Sequence, residues 1–371
     1  MEFTISKAEL VRELSLSQGV VEKKTTIPIL SNVLIEAEGE RVVLTATDLE
    51  LGIRCSCAAE VKKAGAGTIP AKRLLDYVRL LPDAAVNFKF SESHWASLTC
   101  GRSKAKIAGM SRESFPELPQ MPPALVSIPS SVLVSLIQRT IFAISLEETR
   151  FSLNGGLFLV RPEKVIMVAT DGHRLSLSEK TMDFGAGVNP YRALVPKKAM
   201  MELLKLCQDL DSEATVEFSG SDNHLFFRAG ERFLISRKLT GNFPDYERVL
   251  PPEHPYHVTL ARDEFRGTIE RVGQFADERS RAIRLQFTPG ELKVYSSLSD
   301  TGETEENLPI EYEGPEVEAG FNAQYLADFL RVLPEEAVLF GFRDSGSAGE
   351  LRPAGESLDY LYRYVVMPMR I

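Results

Sequence analysis

The chain has 371 residues, of which 44% are hydrophobic and 26% are charged. This composition is typical of a globular protein and argues against a disordered one, and the length predicts roughly two to four domains. No apolar run approaches the ~20 residues that span a bilayer, and the start, MEFTISKAEL, is acidic where a secretory signal is basic and then apolar. We therefore expect a cytoplasmic protein with no membrane partner.

The four cysteines are too few for a disulfide framework. Cys55 and Cys57 are two residues apart, so on a strand both would point into one core face. The sequence predicts no metal site and no cofactor. The net charge of −9 lies in the last third: residues 254–371 hold 12 basic and 21 acidic residues, against 16 and 15 in 1–120 and 15 and 16 in 121–253. An acidic chain of this kind can still present a basic surface locally.

The predicted elements recur in one order three times. First comes a short strand running into a helix, FTISKAELVRELSL, in which Ser6 and Glu9 have capping-box spacing. Alternating runs typical of half-buried strands follow, such as RVVLTATDLEL. An amphipathic helix then begins within IPAKRLLDYVRLLP. The later units have VSIPSSVLVSLIQRTIFAI, KVIMVATDGHRLSL and VPKKAMMELLKLC, and then HVTLARDEFRGTIERVGQF, ELKVYSSLSD and FNAQYLADFLRVLP.

The second helices are evenly spaced, because Pro70, Pro196 and Asn322 are 126 residues apart. We predict an α+β fold of three tandem domains, each with two helices and antiparallel strands, over residues 1–120, 121–253 and 254–371. Pro82 and Pro334 should end two of the second helices.

The segment Asp171-Gly172-His173-Arg174 interrupts two alternating runs. Asp-Gly in this setting favours a hairpin turn. The alternatives are a binding edge and a hydrolase active site using Asp171 and His173. Phosphate-loop, dinucleotide and nucleophile-elbow motifs are missing from the sequence, and His254 and His257 flank a proline-containing linker where solvent exposure is expected. The first and third units have no His or Arg at this turn, which favours binding.

The motifs ATDGHRL (169–175), FPDYERVLP (243–251), FNAQYL (321–326) and YVVMPMRI (364–371), with the threefold repeat, resemble the bacterial sliding-clamp family, the β subunits of DNA polymerase III. The resemblance covers the whole chain. It implies a six-domain ring formed by a head-to-tail homodimer, which encircles duplex DNA without sequence specificity and is not an enzyme. A sequence-specific DNA binder is the remaining alternative.

The resemblance also implies partners and site residues. The partners would be the replicative polymerase, clamp-loader subunits, other polymerases and mismatch-repair proteins that carry short Gln/Leu/Phe peptides. Their pocket between the second and third domains would comprise Leu153, Thr170, Gly172, His173, Arg174, Leu175, Pro244, Arg248, Val249, Asn322, Tyr325, Val365, Met367, Pro368, Met369 and Arg370. DNA contact would involve Lys24, Lys72, Arg73, Lys197 and Lys198. The dimer contact would join residues 102–109 to 273–280, including Ala105, Ile107, Gln274 and Phe275.

Overall fold

A computed structural model describes residues 1–21, 26–147, 149–211, 213–298, 302–355 and 358–370. Three domains follow one another along the chain. In the first are β1 (Glu2–Ser6), α1 (Lys7–Ser17), β2 (Asn32–Glu38), β3 (Arg41–Thr47), β4 (Leu51–Ala58), β5 (Glu60–Lys63), β6 (Gly65–Pro70), α2 (Ala71–Leu80), β7 (Ala85–Phe90), β8 (Trp95–Cys100) and β9 (Ser103–Ala108).

The other two domains repeat this order without a counterpart of β5. The second has β10 (Val126–Pro129), α3 (Ser130–Gln138), β11 (Gly155–Arg161), β12 (Lys164–Thr170), β13 (Arg174–Thr181), β14 (Tyr191–Pro196), α4 (Lys197–Cys207), β15 (Thr215–Gly220), β16 (His224–Ala229) and β17 (Arg232–Arg237). The third has β18 (Tyr256–Ala261), α5 (Arg262–Val272), β19 (Ala282–Thr288), β20 (Glu291–Leu298), β21 (Gly302–Pro309), β22 (Val317–Asn322), α6 (Ala323–Val332), β23 (Ala337–Phe342), β24 (Gly349–Pro353) and β25 (Tyr360–Val366).

Each domain contains two antiparallel three-strand meanders, each extended by one lone strand. The strand before the first helix pairs with the second meander, as β1 does with β7, and the strand before the second helix pairs with the first meander, as β6 does with β2. Alternating apolar residues place one face of each meander against the helices, as in β19, where every second side chain is buried. The predicted α+β fold of three repeated domains is confirmed.

The chain separates into two compact units. The first unit comprises Met1–Val134 and Lys198–Lys238. It holds a five-stranded sheet, β5-β1-β7-β8-β9, and an eight-stranded sheet, β10-β15-β16-β17-β4-β3-β2-β6. In the longer sheet β17 of the second domain pairs with β4 of the first. Arg232, the first residue of β17, forms a buried bidentate ion pair with Glu13 of α1, with N–O distances of 2.8 and 2.9 Å.

The second unit comprises Ser135–Lys197 and Leu239–Ile371. Its eight-stranded sheet runs β14-β11-β12-β13-β25-β24-β23-β18, and its four-stranded sheet runs β21-β20-β19-β22. Here β25 of the third domain pairs with β13 of the second. The third domain's core is rich in aromatic side chains, with Phe287 and Phe342 stacked at 3.9 Å between ring centroids. Neighbouring domains within a unit therefore share one continuous sheet.

Several local predictions can be compared with these elements. Helices α2 and α6 end two residues before Pro82 and Pro334, as predicted, and Cys55 and Cys57 are buried in β4. The capping box is wrong: Ser6 is the N-cap of α1, but its side chain makes no capping hydrogen bond. None of the helices in the part of the chain that is described is long and apolar enough to cross a membrane.

Candidate functional site

Residues 171–173 form the turn of the β12–β13 hairpin, so the hairpin prediction is confirmed. Oδ1 of Asp171 accepts hydrogen bonds from the backbone N–H groups of His173 (2.9 Å) and Arg174 (3.1 Å), and the Thr170 hydroxyl accepts one from Gly172 (3.1 Å). Gly172 has φ of +90°, a conformation that favours glycine. The turn leaves His173 exposed at the surface.

The first domain builds the same turn from different side chains. Oδ1 of Asp48 accepts from the N–H groups of Glu50 and Leu51, and the Thr47 hydroxyl accepts from Leu49, whose φ is +78°. The carboxylate and hydroxyl that shape the backbone are therefore repeated. The His and Arg are particular to the second domain.

Arg174 joins the second domain to the third. Its Nε donates to Asp171 (3.0 Å), Nη1 donates to Asp328 of α6 (2.7 Å) and Nη2 donates to the Phe142 carbonyl (2.6 Å). The guanidinium also lies 4.3 Å from the ring centroid of Tyr325. Each guanidinium nitrogen is thus held within the protein, which suits Arg174 to positioning the turn, and two of its five N–H groups are not used by these bonds.

The surrounding groups keep Arg174 charged. Burial by itself would lower the pKa of the guanidinium, but Tyr364, Asp328 and Asp171 outweigh burial and raise that pKa. The same charge acts on Lys197: burial, and then the positive charge of Arg174, lower the pKa of the Lys197 ammonium.

An apolar floor lies beside this turn. Leu153, Leu175 and Val365 are buried in one cluster with Phe243 and Tyr246. The cross-strand pair Leu175–Val365 is contributed by β13 and β25, so both domains supply this floor. These side chains are almost fully covered, and a ligand would rest on them only at their edges.

More accessible apolar side chains border the floor. Val249 is 42% exposed and Met367 is 44% exposed, which is high for large apolar residues. Pro244 and Arg248 are also exposed, and Arg248 pairs with Asp245 at 2.8 Å. Exposed apolar side chains beside an apolar floor are typical of a binding surface.

The C-terminal tail crosses from one domain to the other. The Met367 N–H donates to the His173 carbonyl (2.9 Å), and the Met369 N–H donates to the Gly320 carbonyl at the third domain's β22 (2.8 Å). The first bond has a counterpart in the first unit, where the backbone N–H of Arg237 donates to the Glu50 carbonyl (2.8 Å). A cleft of about 490 Å³ follows the tail and is lined by Arg284, Glu318, Gly320, Ser345, Gly346, Met367, Pro368, Met369 and Arg370.

Asn322 and Tyr325 lie at the start of α6. The Asn322 side chain is the N-cap: its Oδ1 accepts from the N–H groups of Gln324 (2.9 Å) and Tyr325 (3.2 Å), and its Nδ2 donates to the Ser280 carbonyl (3.0 Å). Within the described residues, the second N–H of the Asn322 side-chain amide has no hydrogen-bond partner. Sequence reasoning did not include Arg284, Glu318, Ser345 and Gly346 in the site, since their motifs carry no distinctive chemistry.

The expected DNA-contact residues divide into several environments. Lys24 lies outside the described residues. Lys72 and Arg73 are exposed in the first turn of α2, where Lys72 pairs with Asp76 at 2.5 Å. Lys198 forms an ion pair with Asp48 of the first domain at 2.5 Å. Lys198 is therefore already held within the first unit.

A basic residue is repeated at the ninth position of each second helix, and sequence reasoning missed it. These residues are Arg79, Lys205 and Arg331, and all three are exposed. The 126-residue spacing already contained this signal, because position-by-position comparison of the three helices finds it.

The expected dimer residues lie on two separate elements. Ala105 and Ile107 are in β9, which pairs within the described residues only with β8. Ile107 is 5% exposed and packs in its own domain's core, and its place in the dimer contact stays a prediction. Gln274 and Phe275 lie in a short 3₁₀ segment after α5, and Phe275 is 40% exposed.

The hydrolase alternative receives no support from this geometry. Asp171 directs its carboxylate to backbone N–H groups and to Arg174, and His173 is on the exposed side of the turn. The expected exposure of His254 is wrong, because its side chain is buried. Its Nε2 lies 3.8 Å from a carboxylate oxygen of Glu350, and burial lowers the pKa of its imidazole. Across the ranges that the structure describes, no cluster of metal-ligating side chains occurs.

Three domains of one plan, joined through shared sheets, define the DNA-clamp fold. Three family models match the chain in succession: the N-terminal domain of the DNA polymerase III beta subunit at residues 1–119, its central domain at 127–245 and its C-terminal domain at 247–370. The chain belongs to the DNA polymerase III beta subunit family.

Individual relatives agree over the full length. The chain is 36% identical to a beta sliding clamp of Pseudomonas putida over 374 aligned positions, covering all of both chains. It is 35% identical to the DNA polymerase III subunit beta of Pseudomonas aeruginosa, again over all of both chains, and superposes with a TM-score of 0.91. The sliding clamp of the same organism bound to griselimycin superposes with a TM-score of 0.92, at 35% identity and with full coverage of both chains.

Proposed function

We propose that the chain is a DNA sliding clamp, a non-catalytic accessory subunit that works in the cytoplasm. Two copies join head to tail, encircle duplex DNA and tether polymerases and other replication and repair proteins. The full-length match to beta sliding clamps supports this function. We place the domain boundaries at 1–120, 121–253 and 254–371.

The observation that carries the ring is the repeated use of one strand position. The third strands of the six meanders are β4, β9, β13, β17, β21 and β25, and four of them pair across domain junctions as β17–β4 and β25–β13. Within the described residues β9 and β21 remain at sheet edges. A head-to-tail contact repeats until the rotation closes it into a ring. Pairing β9 with the partner's β21 repeats the same junction twice in a dimer.

The internal junctions also predict the register of this contact. Ile235, the fourth residue of β17, lies opposite Gly52 of β4. The corresponding fourth residue of β9 is Lys106. On the receiving strand, Gly52 of β4 pairs with the seventh and last residue of β3. The seventh residue of β20 pairs with Glu303 of β21, so Glu303 is the equivalent of Gly52. Lys106 is therefore expected opposite the partner's Glu303.

Two residues further along, the same register sets Lys104 opposite Glu305. All four side chains are exposed, and the two lysines point to the same side of β9. Opposite charges at directly paired positions stabilise a sheet by roughly 0.2–1 kcal/mol each, and like charges destabilise it. The edges of the first and third domains are thus electrostatically matched.

Reversing both lysines, as Lys104→Glu with Lys106→Glu, is expected to raise the dimer dissociation constant at least about tenfold, because four unlike pairs per ring become like pairs. Sedimentation equilibrium measures this change. Trp95, the single tryptophan, lies 5.1 Å from the Lys106 ammonium, so its fluorescence provides a second readout. Mixing this variant with Glu303→Lys/Glu305→Lys should restore dimers. Failure of the mixture to recover would contradict this register.

Duplex DNA would be held without reading its bases. A sliding protein needs phosphate attraction and no base-specific hydrogen bonds. Arg79, Lys205 and Arg331 supply one basic side chain per domain at the same helix position, so we add them to Lys24, Lys72, Arg73, Lys197 and Lys198 as candidates.

The clamp function has a direct topological test. The protein loaded onto nicked circular DNA should remain bound, and cutting the circle once should release it, as gel filtration of the complex would report. The triple variant Arg79→Ala/Lys205→Ala/Arg331→Ala should bind short duplexes more weakly and with a shallower salt dependence, by up to about 0.9 in slope per lost phosphate contact. Arg248→Ala is the matched control. Retention after linearisation, or site preference on short duplexes, would instead indicate an ordinary DNA-binding protein.

The partner pocket is proposed at the junction of the second and third domains. Its residues are the sixteen expected from the resemblance, with Arg174 positioning the turn, and the cleft along the tail extends it. A short peptide with one Gln and apolar or aromatic anchors fits this chemistry. Burial of each anchor against Val249, Met367 and the floor would contribute about 1.5–3 kcal/mol, and methionine's flexible thioether suits a site that exchanges partners.

A further inference from the structure

One apolar residue is far more exposed than its repeats. Leu80, Leu206 and Val332 occupy the tenth position of α2, α4 and α6. Leu206 is fully buried and Val332 is partly buried, but Leu80 is 85% exposed. An isolated exposed leucine would need no explanation. Here the repeat shows that the same position is covered in both other domains.

The second, sixth and tenth positions of these helices form one stripe, because residues four apart lie on the same helix face. On α4 this stripe meets the first domain. Lys198 pairs with Asp48, and the Glu202 carboxylate lies against Gly19, where an added Cβ would be 2.0 Å away. The Leu206 carbonyl accepts from Arg232 of its own domain's β17, and the same arginine is paired with Glu13 of α1 in the first domain.

The stripe on α6 meets the second domain. Asp328, its sixth residue, accepts the 2.7 Å bond from Arg174. In both cases the second helix of one domain therefore faces the domain before it. For α2, the preceding domain in a closed ring is the third domain of another copy.

The segment after the first helix is part of the receiving surface in both observed junctions. In the first domain it is the segment containing Gly19 and Val20, whose carbonyl accepts from Lys198 at 3.4 Å. In the second it contains Phe142, whose ring lies 5.6 Å from that of Tyr364 in the third domain. In the third domain the corresponding segment carries the exposed Phe275.

We propose that Leu80 is the apolar anchor of the dimer contact and packs against Phe275 of a second copy of this chain. Ala105 in the neighbouring strand β9 is too small to be that anchor, and Leu80 supplies the missing bulk. Lys72 and Asp76 share the Leu80 stripe. This places Lys72 at the dimer contact, as its counterpart Lys198 is at the internal one, and revises its assignment to DNA. The inference rests on the proposed head-to-tail dimer.

The first test measures the dimer dissociation constant by sedimentation equilibrium. Leu80→Ala is expected to raise it about tenfold and Leu80→Asp at least a hundredfold, because the latter sets a charge into an apolar contact. Leu146→Asp is the matched control, since Leu146 is 81% exposed and lies in the second domain. Circular dichroism of the Leu80 variants should match the wild type, since the side chain is 85% exposed.

The second test traps the contact. With Leu80→Cys and Phe275→Cys in one chain, a short bis-maleimide should link the copies into covalent dimers, and the pair Leu146→Cys/Phe275→Cys should not. The four native cysteines are buried and serve as an unreactive background. If charge reversal in β9 dissociates the dimer but Leu80→Asp does not, the anchor is refuted while the ring stands. A wild-type chain that stays monomeric at all concentrations refutes the ring itself.

Discussion

Removing residues 367–371 is expected to lower partner-peptide affinity at least a hundredfold and leave the dimer intact. The deletion takes away the exposed Met367 side chain, the Met369 backbone bond to Gly320 and one wall of the cleft. Losing the burial of one or two anchors, at about 1.5–3 kcal/mol each, accounts for a loss of this size. Fluorescence anisotropy with a labelled peptide that carries Gln and Leu/Phe anchors measures it.

A shorter deletion distinguishes the contribution of Met367 and the two backbone hydrogen bonds from that of the last two residues. Removing only residues 370–371 keeps Met367 and both backbone hydrogen bonds, so affinity should fall less than about tenfold. Met367→Ala should lie between the two deletions. If the five-residue deletion yields monomers, or leaves peptide affinity unchanged, the pocket assignment is refuted.

Arg174→Met is expected to cost about 3 kcal/mol of unfolding free energy and to weaken peptide binding as well. The substitution leaves Asp171 with no cation and Asp328 with only its 3.4 Å pair to Arg331, and breaking a mostly buried pair by removing one partner is strongly destabilising. It also frees the turn that presents His173. Urea denaturation, followed through the unfolding transition of the second and third domains, measures the change in unfolding free energy. Fluorescence anisotropy of a labelled peptide measures the change in affinity.

The matched control is Arg248→Met, because the Arg248 side chain is 86% exposed and its pair with Asp245 is solvated. Its effect on unfolding should stay below about 0.5 kcal/mol. The double variant Arg174→Met/Asp328→Asn should be less destabilised than the sum of the two single variants, since both act on one interaction. Additive costs would show that Arg174 and Asp328 are energetically independent.

The repeated fold was predictable because its signals are local or periodic. The apolar stripe of α2 and α6 is recognised from 3.6-residue spacing alone, and Asp171-Gly172 predicts its turn within four residues. The failed capping box shows the limit of local rules: Ser6 is at the right position, but its side chain does not make the expected bond. Spacing identifies a candidate cap and does not choose the rotamer.

The pairing of Arg174 could not be predicted because its main partner is 154 residues away. Motif matching placed Arg174 in the pocket, whereas the geometry turns its guanidinium inward. The burial of Ile107 could not be predicted either: alternation along β9 decides which side chains face the core, but the direction of the alternation depends on tertiary packing. His254 was expected to be exposed because proline-containing linkers usually are, and Glu350 approaches it from a distant strand.

The shared eight-stranded sheets have a consequence for where a ring can open. The pairs β17–β4 and β25–β13 link parts of one polypeptide, so each meets its partner at a high effective concentration that dilution cannot change. A β9–β21 pair of similar strength between two chains has no such connection, and its occupancy follows the concentration of free protein. In the proposed ring the junction between chains thus differs in kinetics from the two internal ones for a topological reason, and the junction without a covalent link is the one expected to let DNA pass.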